Sequence, residues 1–201
     1  MAYRRTTRVK QRLAENRERI VLGARQLIAR GGLREAQMAA VASVAGLSTG
    51  ALYKYFPSQT DLFIEVLREA VRHEIAILEQ IAQAPGTSAE RLRAAVESFV
   101  RRALEGPHLA YAFIAEPADA RVEAARLRAR RAFSEVYERI VREGIARGEF
   151  PEQDLGVTAA CIFGAFTEAL VGPIAARSVK DQQRLVGAIV MFCERAVSGR
   201  A

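Results

Sequence analysis

Apolar positions recur every three to four residues from residue 17 to the C-terminal end, and no stretch keeps the period of two that a half-buried strand needs. The chain therefore reads as all-α, with nine helices predicted. The first spans Arg17 to Arg30, carries Ile20, Val21, Ala24, Leu27 and Ile28 on one face, and stops at Gly31-Gly32. A short second helix, Met38 to Ala45, and a third, Thr49 to Tyr55, flank Gly46-Leu47-Ser48. Ser48 is placed to cap the third helix, and Pro57 closes it.

The fourth start is marked by Ser58 with Asp61, a capping-box-like pair, followed by Leu62, Phe63, Val66, Leu67, Ala70, Val71, Ile75 and Leu78 at helical spacing. That helix ends before Pro85-Gly86. Thr87 with Glu90 opens a fifth, which runs to Gly106-Pro107, and a short sixth follows near His108 to Ala115. Beyond Glu116-Pro117 a charged seventh covers about Asp119 to Arg147. Asp154 caps an apolar eighth, and Lys180 to Val197 form the ninth. The break at Pro57-Ser58 is too short for a flexible linker. The predicted organisation is a basic N-terminal arm (1–16), a three-helix bundle (17–57) and a six-helix body (58–201) joined rigidly through the fourth helix.

Composition narrows the class. With 201 residues, 50% hydrophobic and 26% charged, the chain can bury a real core. Its two cysteines, Cys161 and Cys193, lie in apolar helical surroundings with no histidine near, and are expected to be buried thiols in a reducing compartment. The net charge of +7 is not evenly spread: residues 1–30 hold nine Lys or Arg against two Glu, and that difference is the whole excess. A basic end on a neutral body is the layout of a protein that grips a polyanion. The first apolar run is broken by Glu15, Arg17, Glu18 and Arg19, so no secretory signal is read, and a cytoplasmic, nucleoid-associated protein is expected. Val157 to Ala176 is long enough to span a membrane, yet Glu168 at its middle and Pro173 near its end favour a buried helix of a core or interface.

The stretch Met38 to Tyr55 has the plan of a helix-turn-helix. Ala42 lets the two helices approach, Gly46 permits the positive φ of the turn, and Leu47 and Leu52 hold the second helix down. Its outward face would then carry Ser48, Thr49, Gly50, Tyr53 and Lys54: short donors, bare backbone, an aromatic hydroxyl and a cation, a set suited to a groove edge flanked by phosphates.

Leu47-Ser48-Thr49-Gly50-Ala51-Leu52-Tyr53-Lys54-Tyr55-Phe56-Pro57-Ser58 resembles the recognition-helix signature of the TetR family of bacterial transcriptional regulators. Arg19-Ile20 through Gly31-Gly32, Val41-Ala42, Ala45-Gly46 and Asp61-Leu62 stand at that family's other landmarks, so the detailed likeness covers about residues 17–71. The family usually has Ser or Thr where this chain has Gln37, and often Lys where it has Thr49 and Gln59. The basic arm, Arg4, Arg5, Arg8, Lys10 and Arg12, is expected to make good those missing phosphate contacts. Tyr53 is expected at a phosphate, Tyr55 either there or in the core, and Phe56 in the core.

The resemblance implies a homodimer whose eighth and ninth helices form a four-helix bundle. Ala160, Gly164, Ala165 and Gly172 would allow close approach on one, with Ile189, Val190, Phe192 and Val197 as apolar cover on the other. It further implies a ligand cavity among helices four to eight, for which Phe99, Tyr111, Phe113, Phe133, Tyr137, Phe163 and Phe166 are candidate lining, and His108, Cys161, Thr167 and Glu168 the polar members. Glu168 would meet a ligand or pair with an arginine of helix seven. The implied function is a repressor of a palindromic operator, released when a small hydrophobic effector shifts helix six and then helix four, with coupling expected at Leu109, Ile114 and Glu116-Pro117. An activator of the same fold, or a helical adaptor that sets its basic arm on anionic lipid, are the rivals. An enzyme is not expected, since the chain offers only His73 and His108, no Gly-rich phosphate loop and no metal-spaced ligands; neither cofactor nor metal is anticipated.

Overall fold

Nine α-helices follow one another in the computed structural model, which describes residues 2–178 and 180–199, with side chains from residue 9 onward: α1 (Ala2–Gly31), α2 (Met38–Val44), α3 (Thr49–Tyr53), α4 (Gln59–Ala82), α5 (Ser88–Glu105), α6 (Pro107–Ile114), α7 (Ala120–Ala146), α8 (Leu155–Ala176) and α9 (Gln182–Ser198). The described residues hold no strand, and one short 3₁₀ turn at Leu33–Glu35 that periodicity did not anticipate. Local chemistry sets the boundaries. Ser48, Ser58, Thr87, Asp119, Asp154 and Asp181 each accept a backbone N–H of the first helical turn, and Thr87 with Glu90 completes a reciprocal capping box.

The first helix differs from expectation, because it begins at Ala2 and not near Arg17. No Gly or Pro interrupts residues 2–16, and Arg, Lys, Gln, Leu and Ala are good helix formers, so the basic segment continues the helix instead of trailing as an arm. The side chains of Arg4, Arg5 and Arg8 lie outside the described residues. Lys10 and Arg12 are exposed.

Two apolar clusters organise the molecule. One is the head, where Ile20, Val21, Ala24 and Ile28 of α1 meet Met38, Val41 and Ala42 of α2, Leu52 of α3, and Leu62, Phe63 and Val66 of α4. The other is the body, formed by the far half of α4 with α5, α7, α8 and α9. Neither closes on itself. Ala112 of α6 and Val122 of α7 belong to the head cluster, so the body supplies part of the head's core. In the head, Gly46 turns between α2 and α3 at φ 66°, and Leu47 N–H donates to the Ala42 carbonyl at 2.9 Å. A side chain at 46 would meet the Arg19 guanidinium, which donates to the Ala45 carbonyl.

The body is fastened by a buried cation as well as by apolar packing. Arg91 donates to the Ala82 carbonyl at 2.9 Å, to Glu143 at 2.8 Å and to Ser88 Oγ at 3.1 Å, joining the end of α4 to α5 and α7. α8 has the length and mean hydropathy, 1.6 over its richest window, of a membrane-spanning helix. Its inner face, Ala159, Ile162, Phe163, Phe166, Leu170 and Ile174, is buried in the body core. Of the two cysteines only Cys193 is buried, and desolvation pushes its thiol up to about 11. Cys161, expected to be buried, is exposed on the outer face of α8.

Candidate DNA-contact surface and effector cavity

α3 is five residues long, too short to hold itself, and is fixed from below by fully buried Leu52 and from its start by Ser48 Oγ, which accepts Ala51 N–H at 3.2 Å. Thr49, Gly50, Tyr53 and Lys54 are exposed together on the opposite side, Tyr53 at 49%. A Cβ added at Gly50 would meet no atom within 4 Å, so packing within the chain does not require glycine there. Tyr55 is half-buried, and its hydroxyl accepts from Asn16 Nδ2 at 2.9 Å, which ties it to α1. Phe56 is in the core beneath the Arg17 guanidinium, 5.0 Å from its ring centroid.

Gln37 is exposed at the start of α2, its amide donating to the Arg34 carbonyl at 3.3 Å. Gln59 is half-buried and donates to the Ala36 carbonyl at 3.2 Å, pinning the start of α4 to the 3₁₀ turn. A further residue, which periodicity gave no reason to single out, orients the head. Glu65 is only 6% exposed, and its carboxylate accepts from Arg17 at 2.9 Å and from Arg68 at 2.5 Å. Hydrogen bonding from Arg17 holds the Glu65 carboxyl below the usual glutamate range. The same contact raises the pKa of Arg17.

Head and body meet through polar contacts as well. Leu33 N–H, in the 3₁₀ turn that follows α1, donates to the Glu116 carboxylate at 3.1 Å, Thr60 donates to Asp119, and Arg121 pairs with Asp61. These contacts hold the Asp61 and Asp119 carboxyls below their ordinary range, with the Ser58 hydroxyl the largest cause at Asp61 and the Thr60 hydroxyl at Asp119. The Glu116-Pro117 joint thus touches the 3₁₀ turn that follows α1.

A cavity of about 310 Å³ opens among α4 to α8, with Arg25 of α1 at its rim. Phe99, Phe133 and Phe163 line it, Phe133 stacked on Phe163 at 5.0 Å and Phe99 edge-on to Phe133 at 5.5 Å. Thr167 lines it too, with its hydroxyl donating to the Phe163 carbonyl at 2.7 Å. Leu109, Phe113 and Ile114 form the α6 wall; Leu109 and Phe113 also pack on the head cluster and Ile114 on the body cluster.

Six of the expected lining residues lie elsewhere. Tyr137 and Phe166 are deeper, sealed in the core beside the lining rings; desolvation raises the Tyr137 pKa, and its hydroxyl has no hydrogen-bond partner. His108 and Tyr111 face away, into a smaller cavity of about 100 Å³ with Gly32, Glu116 and Arg177, because Gly106, Leu109, Ala110, Phe113 and Ile114 take the three-four spacing that faces the main cavity. Cys161 and Glu168 fall a helical face away from Ile162, Phe163, Phe166 and Leu170 and are exposed, so Glu168 neither enters the cavity nor pairs with an α7 arginine. What sequence reasoning missed is charged: Glu74 and Glu105 join the lining, and so do Arg102, Arg126 and Arg130. Their periodicity with Phe99 and Phe133 was available, but arginines on a charged helix read as solvated.

The expected dimer residues also divide. Ala160, Gly164 and Gly172 are exposed along α8, Ala165 is half-buried, and Phe192 of α9 is 59% exposed. Ile189, Val190 and Val197 are instead buried in the core of the single chain; Val157 of α8 and Met191 of α9 are, like Phe192, large apolar side chains left exposed.

The sequence model described as bacterial regulatory proteins, tetR family, matches residues 20–66, and the one described as tetracyclin repressor-like, C-terminal domain, matches residues 85–170. The HTH-type transcriptional repressor KstR of Mycolicibacterium smegmatis is 34% identical over 95 residues, 47% of each chain, so the match spans about half the length of that relative. The fatty acid metabolism regulator protein of Bacillus subtilis is 25% identical over 157 residues, 75% of this chain and 79% of its own. Among solved structures, the regulator FadR from Bacillus subtilis in complex with stearoyl-CoA has the same fold: TM-score 0.78 at 22% identity, over 92% of this chain and 99% of that one.

Proposed function

Because the chain belongs to the TetR family of bacterial regulatory proteins, matched over its head and its body in turn, we propose that it is a homodimeric repressor. It acts in the cytoplasm, binds a palindromic operator through α3 and is released by an apolar effector in the cavity between α4 and α8. The observation that carries this reading is the outer face of α3: a glycine with nothing over it, flanked by exposed Ser48, Thr49, Tyr53 and Lys54, on a helix anchored by buried Leu52. Unfilled space above Gly50 lets a phosphate or base edge come close to backbone. Lys10 and Arg12 on the long α1, with Arg4, Arg5 and Arg8 further along it, add charge for the sugar-phosphate strand.

The bare face of α8 and exposed Phe192 support pairing with a second copy. Two recognition helices must then match half-sites one turn of duplex, about 34 Å, apart. An effector that moves α6 acts on the head directly, because Leu109, Ala112 and Phe113 of α6 pack in the head cluster while Leu109 and Phe113 also line the cavity. The fatty acid regulator among the relatives and the stearoyl-CoA complex among the structures support an acyl chain as the apolar part of the ligand.

The test is binding of the purified chain to the intergenic DNA upstream of its own gene, at two salt concentrations, beside an unrelated duplex. Selective binding that weakens steeply with salt is the expected result. Equal, weak binding to both duplexes overturns the reading of α3.

A further inference from the structure

The cavity contains a buried cation with one donor left over. Arg126 of α7 is 4% exposed; its Nη1 pairs with Glu123 one turn earlier, and its Nη2 donates to the Ala112 carbonyl at 2.6 Å. Its Nε has no hydrogen-bond partner, although the side chain lines the cavity. A guanidinium donor removed from water without a partner costs free energy, and it persists most readily where something else is meant to fill the place. Burial lowers the Arg126 pKa, yet the group stays charged. The surrounding charge is positive: exposed Arg25 and Arg130 stand at the rim without a carboxylate in ion-pair reach among the described residues. Of the two lining acids, Glu74 is taken up by Arg102 at 2.7 Å, and Glu105 is exposed.

The second observation concerns what Arg126 holds. α6 ends at Ile114, so its last carbonyls have no partner within the helix. That of Tyr111 accepts from Ala115 and Glu116 N–H, and that of Ala112 accepts from Arg126. A cation on the last carbonyls also suits the helix dipole. Ala112 is fully buried and belongs to the head cluster with Ile20 and Phe63. Arg126 therefore lines the cavity with its side chain and holds the end of α6, inside the head's core, on its Nη2, with the unpartnered Nε buried beside that bond.

The geometry points to Arg126 as the residue that reads an anionic group on the effector and passes occupancy to the DNA-binding head. The Nε and Nη2 donors form the edge of a guanidinium that receives a carboxylate or phosphate through two parallel hydrogen bonds. An anion seated there competes with the Ala112 carbonyl for Nη2, strips the cap from α6 and lets its end move against the head. The ligand class is an amphiphile with an apolar body against Phe99, Phe133 and Phe163 and one anionic group. A neutral molecule of the same shape fills the cavity without moving the cap. This rests on the regulator reading above.

Three probes separate the possibilities: decanoate, decanoyl-CoA and 1-decanol, titrated calorimetrically into the full chain and into its complex with the selected operator. Wild type is expected to bind at least one of the two anions tenfold or more tighter than the alcohol, and to release DNA with that anion only; which anion it is distinguishes a free carboxylate from a thioester with its phosphates. Arg126→Met is expected to weaken the preferred anion at least tenfold, leave 1-decanol unchanged and, because it also removes the cap from α6, hold operator more weakly than wild type with no ligand present. Should Arg126→Met not fold, Arg126→Lys decides. It keeps the charge but loses the fork, and is expected to cut the preference for the anion at least fivefold. Equal loss for anion and alcohol, or a preference as large as wild type in the variant that folds, overturns the proposal. Failure of the regulator reading is seen separately, as absence of operator binding by wild type without any ligand.

Discussion

α3 and α8 each expose a strip of small residues, and a Cβ added at Gly50, Gly164 or Gly172 would touch nothing within 4 Å. The neighbours make the difference. Around Gly50 stand a serine, a threonine, a tyrosine hydroxyl and a lysine on a five-residue helix held by a single leucine. With Gly164, alanines, Cys161, Glu168 and Val157 are exposed on a 22-residue helix buried along its opposite side, and α9 leaves Phe192 exposed. At all three, open space above the glycine leaves room for something outside the chain. Under the function proposed above, the polarity around it says what: a polyanion's edge at α3, an apolar surface at α8.

The sharpest way to break the contrast is at its supports. Leu52→Ala removes the buried anchor of α3 and is expected to cost about 3 kcal/mol in denaturant unfolding, with operator binding lost. An equal loss of cavity-ligand binding in the folded variant would mean that the two regions are not separable. Gly164→Arg should leave the fold intact while yielding monomers in sedimentation and weakening operator binding well over tenfold; dimers of undiminished stability would remove α8 from the interface.

Smaller effects sharpen the picture. Arg17→Met leaves the buried Glu65 carboxylate with only Arg68, and since Arg17 is partly exposed the expected cost is about 1 kcal/mol at neutral pH. Because the folded-state pKa of Glu65 lies below its unfolded value, wild type has this contribution above the ordinary glutamate range and loses it as pH falls through the lower folded value. The variant's acid-unfolding curve should be flatter across that window, and an unchanged curve would show that Arg68 suffices. Smallest in stability is Gly50→Ala, expected to stabilise by up to about 1 kcal/mol through helix propensity, yet to weaken operator binding about tenfold. Unchanged DNA affinity would strip the empty space above α3 of its meaning.

Much of this was legible in order along the chain. The capping residues Ser48, Ser58, Thr87 and Asp154 announce themselves by residue type and spacing, and the helices start where they predict. The exposed set on α3 was legible because a short helix between a turn glycine and a proline has only one way to bury its leucine. The start of α1 was misread for the opposite reason: the charge of residues 4–12 suggested an arm, while their propensity and lack of breakers meant helix. In the body the difficulty is rotational. Every helix there has an apolar face, and small differences in phase decide whether Tyr111 or Phe113 meets the cavity, or whether Glu168 is inside or out. The cap that Arg126 sets on α6 could not be found by pattern, since its carbonyl partner lies on another helix.

The head's borrowing of Ala112 and Val122 bears on modularity. A fragment cut at Pro57 would lack Leu62, Phe63 and Val66 as well as those two, and so would carry an open core. Exchanging recognition specificities between such proteins by joining one N-terminal half to another's C-terminal half is therefore not a splice of independent parts. The seam that must be matched runs through the first two turns of α4, the last turn of α6 and the start of α7. A chimera that ignores it would inherit a new operator preference on a head no longer coupled to the ligand that should release it.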